Sequence, residues 1–300
     1  MQETDIVRIV LAISFFAYAS VSDWKTRKVR NLVWIVLGAC ALILFLIDLE
    51  THGGTLLLES QLLPIAFIFF DVFWERKKGM RSGTGALAVA AYVAAFAWVG
   101  YVTYSLLDAN GGWPQYYAAP IVAFAAILIF ELFYMFDVIK GGADAKALIC
   151  LAILFPVYPA ISANIPMIVP AADMVEVFFP FAFSVLFMSA LMACFVPLYF
   201  LARNIRRKEK IGIRSFLGFT MPIDDVDKHF VWLLEWAEGG QVRFSYRKMR
   251  DSGSLKADLA ALKEIGRKDV WVTYKIPFII PLTAGLLFVL VIGNLLFLVY

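Results

Sequence analysis

The residues of this chain best placed to do chemistry are carboxylates in or beside apolar stretches: Asp23, Glu59, Asp71, Glu131, Asp137 and Asp144. An ionisable group at such a position is costly to keep, so each is a functional candidate by default. Asp23 and Asp144 stand apart, because each lies where an apolar stretch meets a short basic segment. Two carboxylates that meet at one site can share a proton. One then acts as general base on a water while the other donates to a substrate carbonyl. Gly141, Gly142 and Ala143 leave little bulk before Asp144, so an extended substrate backbone or a neighbouring helix can approach it.

Each of these residues also has a plainer reading. Asp23 can be a loop aspartate paired with Lys25 or Arg27, and Asp144 can cap a helix after a tight loop. Lys146 either tunes Asp144 by proximity or anchors the loop on its side of the membrane. Asp137 shares a face with Asp144 if the helix continues between them, or else pairs with Lys140. Asp224, Asp225 and Asp227 either attract a basic substrate segment or form a charged helix start.

The elements that must position these groups are membrane helices. The chain is 62% hydrophobic and 17% charged over 300 residues, whereas a soluble domain carries about 25% charged residues. About eight stretches have the length and apolarity to cross a bilayer as helices. They run over Asp5–Ser22, Leu32–Leu49, Thr55–Trp74, Gly85–Leu107, Tyr116–Ile139, Ala145–Val169, Val177–Ala202 and Ile276–Tyr300. The first starts near Ile6 without a basic leader or a small-residue cleavage site, and is expected to be a mature span. The sixth is interrupted by Pro156, Pro159 and Pro166.

Sidedness follows from Lys and Arg in the connections. Asp23–Asn31 and Glu75–Thr84 are rich in them, Lys140 and Lys146 flank the fifth break, and Arg203–Lys275 holds most of the rest. The alternate connections, Glu50–Gly54, Asp108–Gln115 and Pro170–Glu176, have neither; Arg8 is the lone exception to the alternation. Asp23 and Asp144 are therefore expected at the cytoplasmic face of the cell membrane, with both termini outside. The net charge of +3 says little by comparison.

The expected architecture is an all-α polytopic membrane protein with a small cytoplasmic α+β insert before the last helix. Residues 1–202 form a seven-span core, 203–275 the soluble insert and 276–300 the final span. Within the insert, Pro222 and Gly239-Gly240 bracket an amphipathic helix signal from Ile223. Gln241–Tyr246 reads as a strand, Ser254–Ile265 as a helix and Asp269–Tyr274 as a strand. Cys40, Cys150 and Cys194 are far apart within apolar stretches and read as small packing residues. No metal site, cofactor or nucleic-acid partner is expected.

Two stretches carry a family resemblance. Asp23-Trp24-Lys25-Thr26-Arg27-Lys28-Val29-Arg30-Asn31 resembles the D-x-x-x-R-x-I-P-N signature of type IV prepilin peptidases, with Arg30 in place of the proline. Gly141-Gly142-Ala143-Asp144-Ala145-Lys146 resembles their second motif, G-x-G-D-x-K, in the G-G-A-D form of archaeal members. Val270-Trp271-Val272-Thr273 and Ile276-Pro277-Phe278 are similar to the approach to the last span in archaeal preflagellin and prepilin peptidases.

The resemblance implies a membrane aspartyl endopeptidase with Asp23 and Asp144 as catalytic residues and Gly141, Gly142, Ala143 and Lys146 in support. Its substrates would be pilin-like or archaellin precursors, shortened by a basic leader at the cytoplasmic face. The aspartates are further apart in sequence than in compact archaeal members, which implies additional spans between Thr55 and Leu107. The cysteine-rich region of bacterial methylating members is lacking. The alternatives are a secondary transporter using Glu59, Asp71, Glu131 and Asp137, a noncatalytic membrane scaffold, and a general protease of the presenilin type.

Overall fold

A computed structural model describes residues 3–73, 83–110, 115–159, 179–208, 211–245 and 255–293. Helices dominate, and the chain divides into two compact units, Met1–Ala190 with Pro277–Tyr300, and Leu191–Ile276. Among the described residues, five helices are long and apolar enough to cross a membrane: Thr4–Thr26, Asn31–Thr51, Ala86–Leu107, Ala118–Met135 and Phe181–Arg206. The chain is thus a polytopic, mostly helical protein with a small strand-bearing domain before its last helix.

In the first unit, α1 (Glu3–Thr26) and α2 (Asn31–Thr51) form a hairpin. The third expected span is broken into α3 (Leu56–Glu59) and α4 (Leu62–Asp71). Proline explains the break. Pro64 has no N–H to return to the carbonyl of Ser60, which accepts from the Leu63 amide at 3.2 Å, while the Ser60 hydroxyl donates to Leu57 O and accepts from the Trp98 indole. Next come α5 (Gly83–Asn110), α6 (Gln115–Met135) and α7 (Gly142–Leu154). The end of the sixth expected span, with Pro166, lies outside the described residues. After them come α8 (Phe181–Ala193) and the apolar last helix, Ile279–Ile292.

The short α7 is the hub of this unit. Ala145 and every residue from Ala147 to Leu154 are buried, and a helix apolar on all sides belongs in the middle of a bundle. Close approach of its neighbours depends on small residues. A Cβ on Gly38 would strike the Phe69 ring, and one on Gly285 would strike Ser189 and the carbonyl of Val185. The Cys150 thiol donates to the Trp34 carbonyl at 3.3 Å, consistent with a packing role; Cys194, by contrast, is exposed. Ser20 and Thr283 bond at 2.7 Å and join α1 to the last helix.

Arg8, the exception in the charge pattern, is 1% exposed and lies 2.5 Å from Asp48 of α2, with Asp5 at 4.0 Å. The cation is thereby neutralised within the bundle.

The second unit holds α9 (Phe195–Arg206), α10 (Arg214–Leu217) and strands β1 (Phe219–Pro222), β2 (Val231–Leu233), β3 (Glu235–Glu238), β4 (Gln241–Phe244) and β5 (Asp269–Tyr274). Helix α11 (Leu255–Glu264) precedes β5. An antiparallel sheet runs β1-β5-β2, and β3 pairs with β4 in a hairpin. The strand and helix expected around Gln241, Leu255 and Asp269 are present.

The amphipathic helix expected from Ile223 is not. Its place is taken by a 3-10 turn, Ile223–Lys228, followed by β2 and β3. Val231 and Leu233 point into the core on alternate positions, a two-residue period in a β-branched and aromatic run that favours a strand. Buried Glu235 is held by Arg267 at 3.0 and 3.1 Å and by the Trp271 amide at 3.3 Å.

Candidate active site

Asp23 stands in the last turns of α1. That helix ends at Thr26, and Arg27 turns the chain at φ +57. The Arg27 amide donates to the Asp23 carbonyl at 2.9 Å, while the Ser22 and Thr26 hydroxyls both donate to the Lys28 carbonyl. This side-chain cap fixes the backbone just past the aspartate. Two groups then act on the Asp23 carboxylate, the charge of Arg27 and the backbone amide of Ile279. Ile279 opens the last helix, where the first amides have no partner within the helix and favour an anion. The Arg27 guanidinium also lies 5.6 Å from the Trp24 ring centre.

Asp144 is the third residue of α7, and Gly141 holds the N-cap. Asp144 is therefore not the capping residue. It sits in the first turn, where the helix dipole favours a carboxylate, and its amide donates to Gly141 O at 3.0 Å. A Cβ on Gly141 would collide with the Asp144 carboxyl, and one on Gly142 would come within 3.3 Å of the Tyr134 hydroxyl. The space left at Gly141 is thus taken by the side chain of Asp144 itself, and Gly142 closes against α6. Ala143 packs on the apolar core.

Both aspartates are half-buried, and the charge of Asp23 acts on Asp144. The fold therefore brings two carboxylates far apart in sequence into one electrostatic neighbourhood. The segments that carry them are tied as well. Lys146 donates to Asn31 Oδ1 at 2.9 Å, and its ammonium lies 5.0 Å from the Phe73 ring centre. Asn31 begins α2, directly after the basic loop that follows Asp23.

The other sequence candidates fall elsewhere. Asp71 accepts from the Tyr92 hydroxyl at 2.9 Å, tying α4 to α5. Helix α6 does not continue towards Asp144: it ends at Met135, and the Val138 and Ile139 amides both turn back to Phe133 O. Asp137 sits in that turn at φ +56. Asp224 pairs with Lys263 and Asp225 with Lys228, whose ammonium holds the Asp225 carboxyl below its ordinary range.

Sequence reasoning missed Ile279 as a partner of the site, and it had Asn31 as the end of the first motif without its bond to Lys146. Pro277, two residues before Ile279, was the available signal for a helix start. Among the described residues, no cluster of three or more His, Cys, Asp or Glu is arranged to hold a metal ion.

No curated protein matches the chain. Residues 212–295, which run from before β1 through the last helix, match the family model described as Archaeal Peptidase A24 C-terminus Type II. The matched stretch includes neither Asp23 nor Asp144, and it supports a prepilin-type peptidase role in general.

Proposed function

We propose that this chain is a membrane-embedded aspartyl endopeptidase that removes the short basic leader of pilin-like or archaellin precursors. The observation that carries this reading is that the charge of Asp23 reaches Asp144, with the Asp144 carboxyl lying over a glycine and its helix tied to the Asp23 loop through Lys146 and Asn31. The ionised carboxylate takes a proton from a water, whose oxygen bonds to the scissile carbonyl carbon. The protonated partner gives its proton to the carbonyl oxygen. Collapse of the resulting diol breaks the C–N bond, and the leaving nitrogen takes up a proton from the pair.

The cut belongs at the cytoplasmic membrane face, where the basic loops put both aspartates. An intact helix hides its carbonyls in hydrogen bonds, so the bond cut lies in extended chain, after the leader and before the apolar helix. The closing test is mass spectrometry of the product amino terminus, with a precursor and this protein in one membrane. A product shortened by the leader alone is expected. A terminus well inside the apolar segment, or on its outer side, would overturn the reading in favour of a presenilin-like protease. No product at all would leave the peptidase reading without support.

A further inference from the structure

Helix α9 shows two unlike faces. One packs into the small domain: Phe200 is buried beside Phe219 and Tyr274, and Asn204 is buried completely. The other face carries Phe195, Leu198, Tyr199 and Ile205, all exposed and spaced as a single helical stripe. The stripe stops at Arg206, Arg207 and Lys208. The apolar stretch able to cross a membrane, Phe181–Arg206, ends at the same place. An apolar stripe closed by basic residues is the pattern of a helix leaving the hydrocarbon at the headgroups.

The chain then folds back on that boundary. The Asn204 side-chain amide donates to Ser215 O at 3.0 Å and Gly218 O at 2.8 Å. The Gly212 amide donates to the Ser215 hydroxyl at 3.2 Å. These bonds hold the turn at 211–218 level with the last helical turn of α9. On that turn Ile211 is 64% exposed and Ile213 83%, and Arg214 follows at once. Two large apolar side chains held outward together, within a basic rim, are unlike ordinary solvated loop surface.

We propose that the turn at 211–217 is an interfacial anchor, seated in the anionic headgroup layer of the membrane that the chain spans. Ile211 and Ile213 lie among the first acyl carbons, and Arg206, Lys208 and Arg214 face lipid phosphates. Two observations favour lipid over a protein partner: the turn is bonded to the end of an apolar membrane-length helix, and its charged rim is basic. The inference does not rest on the peptidase reading, and its readout is independent of cleavage.

The test uses the full chain with Cys40, Cys150 and Cys194 replaced and Ile213→Cys carrying a nitroxide. It is reconstituted in vesicles of mixed phosphatidylcholine and phosphatidylglycerol. Collisions with oxygen, which partitions into lipid, should exceed those with a water-soluble nickel chelate. The balance should shift towards nickel in pure phosphatidylcholine, and also in the Arg206→Gln, Arg214→Gln variant. Dominant nickel collisions in both vesicle types would overturn the proposal. So would shielding from both reagents, the sign of a protein surface, or a balance that ignores headgroup charge.

Discussion

Helix α1 carries charge near both ends, and the two ends are built in opposite ways. Near its start, Arg8 is buried against Asp48 with Asp5 beside it, so opposite charges compensate each other. Near its finish, the charge of Asp23 acts on Asp144, a group of its own sign, while Arg27 and the Ile279 amide act on Asp23 in the opposite sense. The first arrangement joins α1 to α2 through a pair of opposite charges. The second sets two carboxylates within reach of each other's charge, an arrangement that clusters at functional sites. On the function proposed above, the contrast is between a buried charge that serves the fold and one that would serve chemistry, although both break the same rule about ions in apolar surroundings.

The sharpest break of this comparison is at the carboxylates. Asp23→Asn and Asp144→Asn should each lower precursor cleavage by about 10³-fold or more, the scale of general acid–base catalysis, with thermal stability kept or raised as repulsion is relieved. Cleavage rates and melting curves of the two purified variants check this. Wild-type rates in either would remove the pair from the chemistry.

At the other end the pattern should invert. Asp48→Asn removes the nearer counter-charge of buried Arg8, leaving Asp5 at 4.0 Å, and should cost stability up to the roughly 3–5 kcal/mol of a broken buried pair, while each folded molecule cleaves at the normal rate. Denaturation in detergent, alongside activity normalised to folded protein, separates the two quantities.

Gly141→Ala sharpens the comparison within the site. The added methyl displaces the Asp144 carboxyl, the far end of a flexible side chain, so stability should change by about 1 kcal/mol or less. A misplaced catalytic group should still cost about 10²-fold in rate. Equal activity would mean that the carboxyl does not work from where it lies.

The smallest effect is expected at the link between the two segments. Lys146→Met and Asn31→Ala should each slow cleavage several-fold. Combined, they should do little more than either alone, with a coupling of about 0.5–1.5 kcal/mol in a double-mutant cycle. Strict additivity would show that the bond does not position the site.

Much of this arrangement was legible beforehand, and the gaps have physical causes. Apolar length marks helices such as Asn31–Thr51 directly, because crossing a bilayer demands it. The strand Asp269–Tyr274 and the helix Leu255–Glu264 follow from their local periods. The run after Ile223 misleads because proline before it and glycines after it punctuate strands as readily as a helix, and only pairing with β5 decides between them. The break near Ser60 was hidden inside an apolar run, although Pro64 carried the signal. Asp48 was overlooked because an acid at a span end looks solvated until Arg8 of another helix is placed beside it. The Ile279 amide has no side-chain signature at all, since any residue opening that helix supplies it.

The central claim is that Asp23 and Asp144 face one another in a single site. It is tested most directly by chemical bridging in native membranes. A chain with Asp23→Cys and Asp144→Cys, and with Cys40, Cys150 and Cys194 replaced, is treated with a short bifunctional thiol reagent, then cut between the two positions. The account predicts that the fragments stay joined until reduced, and that a matched chain with Glu50→Cys, exposed at the far end of α2, in place of Asp23→Cys falls apart. If both thiols at positions 23 and 144 react but the fragments separate, the two residues do not share a site and the account is wrong.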